Sequence, residues 1–251
     1  MAKTQSWAVV TGASSGLGVE FARQLAARGH SVCLVARDRT RLDELAQTIA
    51  GQFGVSTEVL AADLHDPTQR ALLVERLSDS ARPVAWLVNN AGYGIAGDLD
   101  ESDWESELDH HAIHVTAPLE LTKAVLPGML ERGHGRVVLV SSVAGYLSRG
   151  TYSAHKAWGL SLARSLTARY RPDGVVVSAV APGFTRTEFH QRMTMDVARV
   201  PEWMWLSADR VVADALRSAE RGKAVSIPSL RYKALVAVAA LTPKRWHQAG
   251  V

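Results

Sequence analysis

Ser6 to Val10 is a short apolar run followed at once by Thr11-Gly-Ala-Ser-Ser-Gly-Leu-Gly18, after which Phe21, Ala22, Leu25 and Ala26 recur at helical spacing up to Gly29. A strand that passes through a glycine turn straight into a helix leaves the chain few choices. The helix must pack back over the strand, and its first N–H groups stay unpaired at the strand's end. Gly12 and Gly16 let the backbone approach a pyrophosphate there, and Gly18 lets helix and strand pack closely, so the unit reads as a dinucleotide-binding entry.

The alternation continues. Ser31 to Ala36, Ser56 to Ala61, Val84 to Val88, Val137 to Val140 and Val175 to Ala181 are further short apolar runs, with helical patterns between them. Ser102 to Glu131 reads as a long helix, kinked by Pro118 and closed by Gly133. Strands that are apolar at nearly every position are covered on both faces, which predicts an α/β fold: one doubly wound parallel sheet with helices on both faces. At 251 residues and 47% hydrophobic, the chain suffices for one such domain, residues 1–251. The 28 basic and 25 acidic residues are scattered and leave +3, which argues against a nucleic-acid partner. Cys33 is the one cysteine, so disulfides and cysteine metal sites are excluded. No apolar run reaches the ~20 residues of a membrane span, and the N-terminus lacks a signal-peptide core, so a cytoplasmic location is expected.

Ligands of such sheets sit outside the carboxyl ends of the strands. Gly12, Arg37, Asp63, Asn90, Ser142 and Gly183 all fall at those ends. Arg37 comes first after the second strand, where an arginine accommodates a 2′-phosphate, so NADP(H) is favoured; Asp38 next to it keeps NAD(H) open. Asp63 is either an acceptor for an adenine amine or the cap of a helix beginning near Pro67. Asn89-Asn90-Ala91-Gly92 suits backbone bracing and ligand contact equally. His110, His111 and His114 look like a metal cluster, yet no carboxylate or cysteine set completes one. A solvated or core-edge position is expected for them, and no metal site.

Thr151 onward reads as a helix carrying Tyr152 and Lys156 on one face, one turn apart. A free phenol titrates near pH ~10. A fixed ammonium favours the phenolate and brings that group toward acid–base work, while Ser142 is placed to hold a substrate oxygen.

TGASSGLG at Thr11 to Gly18, NNAG at Asn89 to Gly92, the Ser142, Tyr152 and Lys156 set and PGFTRT at Pro182 to Thr187 together resemble the short-chain dehydrogenase/reductase superfamily. The resemblance implies a Rossmann fold and an NADP(H)-dependent oxidoreductase acting between a carbonyl and a secondary alcohol. Ser142 would orient the substrate oxygen, Tyr152 would be the acid or base, and Lys156 would tune it and hold the nicotinamide ribose. Gly12, Ser14, Ser15, Gly16, Leu17 and Gly18 would line the pyrophosphate and ribose, with Arg37 at the 2′-phosphate and Asp63 and Leu64 at the adenine. Asn90, Gly92, Pro182, Gly183, Thr185 and Thr187 would complete the cofactor site. Two departures stand out. His114 occupies the place of an asparagine that holds a relay water, which implies an altered relay, and the linker from Ser142 to Tyr152 is short, with Ser141 the alternative to Ser142. These departures keep a second reading open, a dinucleotide-sensing or interaction protein. Residues 184–206, with Phe184, Phe189, Met193, Met195, Trp203, Met204 and Trp205, resemble a substrate lid and suggest an apolar small-molecule substrate. The extension 229–251 contains an apolar block, Leu230 to Trp246, expected to close the core or pack on another subunit, with membrane-surface contact as the other option. The resemblance implies a homodimer or homotetramer.

Overall fold

In the computed structural model, residues 6–95, 99–188 and 200–241 are described. The apolar runs form strands β1 (Trp7–Thr11), β2 (Ser31–Ala36), β3 (Thr57–Ala61), β4 (Val84–Asn89), β5 (Gly135–Val140) and β6 (Val175–Val180). A two-residue strand, β7 (Val225–Ser226), closes the edge. All pair in parallel in the order β3-β2-β1-β4-β5-β6-β7. The order reverses direction between β1 and β4, where such sheets open a crevice.

Most strand positions are apolar because alternate residues feed two separate cores. Val9, Cys33, Val35, Leu87 and Val137 pack one face, under α3 (Pro67–Ser78), α5 (Ala117–Glu131) and α6 (Gly150–Tyr170). Ala8, Val10, Val32, Leu34 and Val88 pack the other, under α1 (Gly16–Ala26), α2 (Arg39–Phe53) and α7 (Ala208–Glu220). This is the doubly wound, Rossmann-like single domain that the apolar runs predict.

Local signals set the helix ends. Asp38 caps α2 by accepting from the Arg41 N–H at 3.1 Å. Asp66 caps α3, accepting from the N–H groups of Thr68 at 2.7 Å and Gln69 at 3.4 Å. Asp63 is therefore not that helix's cap. The long helix is broken differently from a simple kink: α4 (Trp104–His111) runs into a π-turn, Ala112–Thr116, and then into α5. Pro118 has no N–H to donate to the His114 carbonyl, and the Ala117 N–H reaches back five residues to the Ala112 carbonyl.

The last described helix, α8 (Leu230–Leu241), corrects the expectation of core closure. Only Tyr232 is buried, at 4% exposure, while Leu230 and Leu241 are 81% and 87% exposed. Lys244, Arg245 and Trp246 lie outside the described residues. Among the described residues no helix is long and apolar enough to cross a membrane.

Candidate active site

A cavity of about 1280 Å³ opens at the carboxyl ends of the strands, over the point where the strand order reverses. Its wall includes Gly12, Ser14, Ser15, Gly16, Leu17, Arg37, Asp63, Leu64, Asn90 and Gly92 on one side, and Ser142, Tyr152, Lys156, Pro182, Gly183, Thr185 and Thr187 on the other. Its glycine turn is shaped for an anionic group. Ser15, at the N-cap of α1, makes no side-chain capping bond, so its hydroxyl does not occupy the helix N-terminus that would face a ligand. Gly12 has φ 64°, and a β-carbon there would lie 2.8 Å from Asn90 Nδ2. Asn90 braces this turn, donating from Nδ2 to the carbonyls of Thr11 at 2.9 Å and Gly12 at 3.2 Å. Gly18 does not line the cavity: a β-carbon there would sit 2.1 Å from the Gly12 oxygen, so it serves the close packing of helix on turn.

At the adenosine end, Asp38 is engaged as the cap of α2, which leaves Arg37, 72% exposed in its side chain, as the first polar group past β2. Arg37 Nη1 lies 4.0 Å from Asp63. Burial opposes ionisation of Asp63, but hydrogen bonds from the His65 N–H at 3.0 Å and Nδ1 at 2.7 Å, with Arg37, hold its carboxyl below the usual range. Arg70 pins the segment by donating to the carbonyls of Leu64 at 2.8 Å and His65 at 2.9 Å.

Past β5 the two serines divide. Ser141 is 5% exposed and its hydroxyl donates to the Lys156 carbonyl at 2.7 Å, tying the strand end to α6. Ser142 caps the short turn Val143–Tyr146, accepting from the Ala144 N–H at 3.1 Å, and shares a hydrogen bond with Tyr152. Gly145 lets this turn press on α6, since a β-carbon there would be 2.8 Å from the Lys156 backbone. The short linker thus holds Ser142 within reach of the phenol. Lys156, 8% exposed, donates from Nζ to the Val140 carbonyl at 2.9 Å and lies 5.4 Å from the Tyr152 ring centre.

The electrostatics differ from the expectation of a phenol lowered by its cation. Burial pushes the Tyr152 phenol up to about 12, with the Ser142 hydrogen bond opposing, and pushes the Lys156 ammonium down to about 7. In the protein alone, desolvation is the main cause for both groups.

His114 does not line the large cavity; it is buried behind Tyr152, their rings 5.8 Å apart and near perpendicular. Its Nε2–H donates to the Tyr93 carbonyl at 2.6 Å, which also receives the His110 Nε2–H at 3.3 Å. Burial, then the charge of Lys156, holds His114 well below its ordinary value, so it is neutral near pH 7. His110 is fully buried and stacks on Tyr152 at 5.9 Å, whereas His111 is exposed. Among the described residues, no group of three or more His, Cys, Asp or Glu is arranged to hold a metal ion.

At the far wall Thr185 donates to the Gly183 carbonyl at 3.0 Å, and the Thr187 hydroxyl lies 3.4 Å from the Thr185 carbonyl. The Tyr232 hydroxyl from α8 receives the Phe184 N–H at 3.0 Å and donates to the Met204 carbonyl at 2.9 Å. Of the apolar residues expected in a lid, Phe184 lines the cavity, Trp203, Met204 and Trp205 do not, and Phe189, Met193 and Met195 lie outside the described residues. Tyr93, His155 and Tyr232 escape a reading of the sequence, because only the tertiary fold brings them here.

Comparison with known proteins gives one family. The model of the short chain dehydrogenases matches residues 6–198. A very-long-chain 3-oxoacyl-CoA reductase of Anas platyrhynchos is 35% identical over 73% of this chain, and the match spans 61% of that relative's length. Sulfoacetaldehyde reductase 2 of Chromohalobacter salexigens is 36% identical over 72% of this chain and 73% of its own. Among solved structures, a short-chain dehydrogenase from Sphingobium yanoikuyae in complex with NADPH aligns with a TM-score of 0.85 at 36% identity, covering 94% of this chain and 93% of that one. A bulky-bulky ketone specific alcohol dehydrogenase from Comamonas testosteroni aligns at 0.81 and 31%, covering 95% and 93%.

Proposed function

The chain belongs to the short-chain dehydrogenase family of oxidoreductases, and from that premise we propose that it is an NADP(H)-dependent reductase or dehydrogenase interconverting a carbonyl and a secondary alcohol. One observation carries the reading: the Ser142 to Tyr152 hydrogen bond, backed by Lys156, opens onto the same cavity as the uncapped glycine turn. Gly12, Ser14, Ser15, Gly16 and Leu17 would hold the pyrophosphate and Lys156 the nicotinamide ribose; Asn90, Gly92, Pro182, Gly183, Thr185 and Thr187 would flank the rest. When bound, the nicotinamide supplies or accepts the hydride.

This chain's own part is the proton. Tyr152, neutral at working pH because burial favours its protonated form, gives its O–H proton to the carbonyl oxygen, and Ser142 holds the same oxygen. In the reverse direction Tyr152 removes that proton. Arg37, with Asp38 committed to its helix cap, favours the 2′-phosphate of NADP(H) over NAD(H). The NADPH complex of the Sphingobium relative supports that preference. Ile95, Ile113, Leu147 and Phe184 give the cavity apolar wall and favour an apolar substrate. The family resemblance supports a homodimer or homotetramer, and the single buried thiol of Cys33 supports a reducing, cytoplasmic setting.

Tyr152→Phe tests the reading. Against a panel of aldehydes, aryl ketones and secondary alcohols it is expected to lose roughly 100-fold or more in kcat, with NADPH binding retained in a fluorescence titration. A native rate in that variant overturns the role of Tyr152. Tight NADPH binding by the unaltered protein with no turnover across the panel assigns the dinucleotide-sensing role instead.

A further inference from the structure

Lys156 borders a second, small cavity of about 20 Å³, lined also by Asn89, His114, Ser141 and His155. Such a volume holds one water molecule. Two of these side chains carry buried polar atoms that no protein group satisfies, Asn89 Oδ1 and His155 Nδ1. A buried polar atom without a partner is costly, and a water between them would serve both. The other nitrogen of His155, Nε2, lies 3.3 Å from Nδ1 of His111, and His111 is exposed at the end of α4. His155 and His111 therefore join this cavity, which Lys156 also lines, to the surface.

We propose that His155 and His111 conduct protons between solvent and the small cavity beside Lys156, through one water held there, and so recharge Tyr152 between turnovers. The proposal rests on the oxidoreductase reading above. Each carbonyl reduction consumes one proton besides the hydride, and Tyr152 gives it. The buried site must then take one proton from solvent. His111 accepts it at Nε2 and releases the one on Nδ1 to His155 Nε2. His155 in turn releases the proton on Nδ1 to the water, which passes one to the Lys156 amine left neutral when its ammonium returned a proton to the Tyr152 phenolate. No electrons move along this path; each imidazole ends in its other tautomer, and a rotation of each ring restores the starting one before the next proton follows.

A neutral imidazole suits this because it accepts at one nitrogen while donating from the other. His155 is kept neutral chiefly by burial; His111 and Lys156 add to the effect and Glu107 opposes it. The groups that face it are Glu107, His110 and His111 from α4, His114 from the π-turn, and Lys156 from α6. His114 is not an equivalent conduit, since its Nε2–H is spent on the Tyr93 carbonyl.

The test uses the best substrate of the carbonyl panel with NADPH, in His155→Gln and His111→Gln. In dilute, non-imidazole buffer kcat is expected to fall roughly 10-fold in each variant. The first turnover, which spends the proton already on Tyr152, keeps its rate, and added imidazole restores kcat in the variants without raising it in the parent. His111 is exposed, so His111→Gln carries the test even where His155→Gln folds poorly. Variants that match the parent in dilute buffer overturn the path. A first-turnover rate that falls as far as kcat, with no imidazole rescue, also overturns it and assigns these rings to packing alone. No NADPH oxidation by the parent with any panel member overturns the oxidoreductase reading and the path together, whereas an active parent with indifferent variants overturns the path only.

Discussion

A β-carbon built on Gly183 would lie 1.9 Å from the ring of Tyr232, so an aromatic side chain from α8 occupies the space that any larger residue at 183 would need. Gly183→Ala is expected to destabilise the protein by about 1–3 kcal/mol through overpacking. The cost should shrink when Tyr232→Ala is present, because the two substitutions share one space. Urea unfolding of both single variants and the double variant measures the coupling. An equal cost in both backgrounds would show that the ring is not what excludes a side chain there.

Adjacent serines are expected to fail in different ways. Ser142→Ala removes the hydroxyl that bonds Tyr152 and should lower kcat by roughly 100-fold with little change in stability. Ser141→Ala removes a buried hydrogen bond to the Lys156 carbonyl, which the helix still engages, and should cost about 0.5–1.5 kcal/mol in stability. Parallel kinetics and unfolding curves separate them; matched losses of kcat in both variants would contradict this division of roles.

Cofactor choice should follow Arg37. Arg37→Ala is expected to weaken NADPH roughly 10- to 100-fold, the worth of one charge-assisted contact. NADH affinity should be unchanged. Fluorescence titration with both nucleotides reads the ratio, and an equal loss for each would place the 2′-phosphate elsewhere.

The buried histidines set an acid limit on stability. His114 is held well below 6.5, and burial lowers His110 to about 4. Both bind protons more readily in the unfolded chain, so the stability they leave intact above pH 6.5 is lost as the pH falls toward 4. For His114 the slope approaches about 1.4 kcal/mol per pH unit in that window. The unfolding midpoint should therefore drop from pH ~7 to pH ~5, less steeply in His114→Gln. An unaltered slope in that variant would remove His114 as a cause.

The sequence makes the frame legible because each strand is a short β-branched run with its own turn signal, as at Ser31–Ala36, which the structure reproduces residue for residue. Edge strand β7 was not legible: two residues, Val225 and Ser226, carry no period. Helix α7 did carry one, in Val211, Val212, Ala215, Leu216 and Ala219, and it lies between the lid-like segment and the C-terminal extension, which drew the reading instead. Asp63 and Asp66 are equally good caps by residue type, and only the backbone path decides that Asp66 takes the role. Tyr152 and Lys156 could be paired from their spacing, but how far burial moves their proton affinities depends on the packing around them. His155 meets His111 from 44 residues away, a contact that no local pattern encodes.

The π-turn at Ala112–Thr116 amounts to one surplus residue in an otherwise continuous helix. Each residue advances a helix by about 100°, so α4 and α5 are wound out of phase across that point. His110 and His111 face α6 only in this phase. A chain shortened by one residue within Ala112–Thr116 would keep the composition of both helices yet rotate α4 about its own axis. The imidazoles would then turn away from Tyr152 and His155, and a different side of α4 would meet α6.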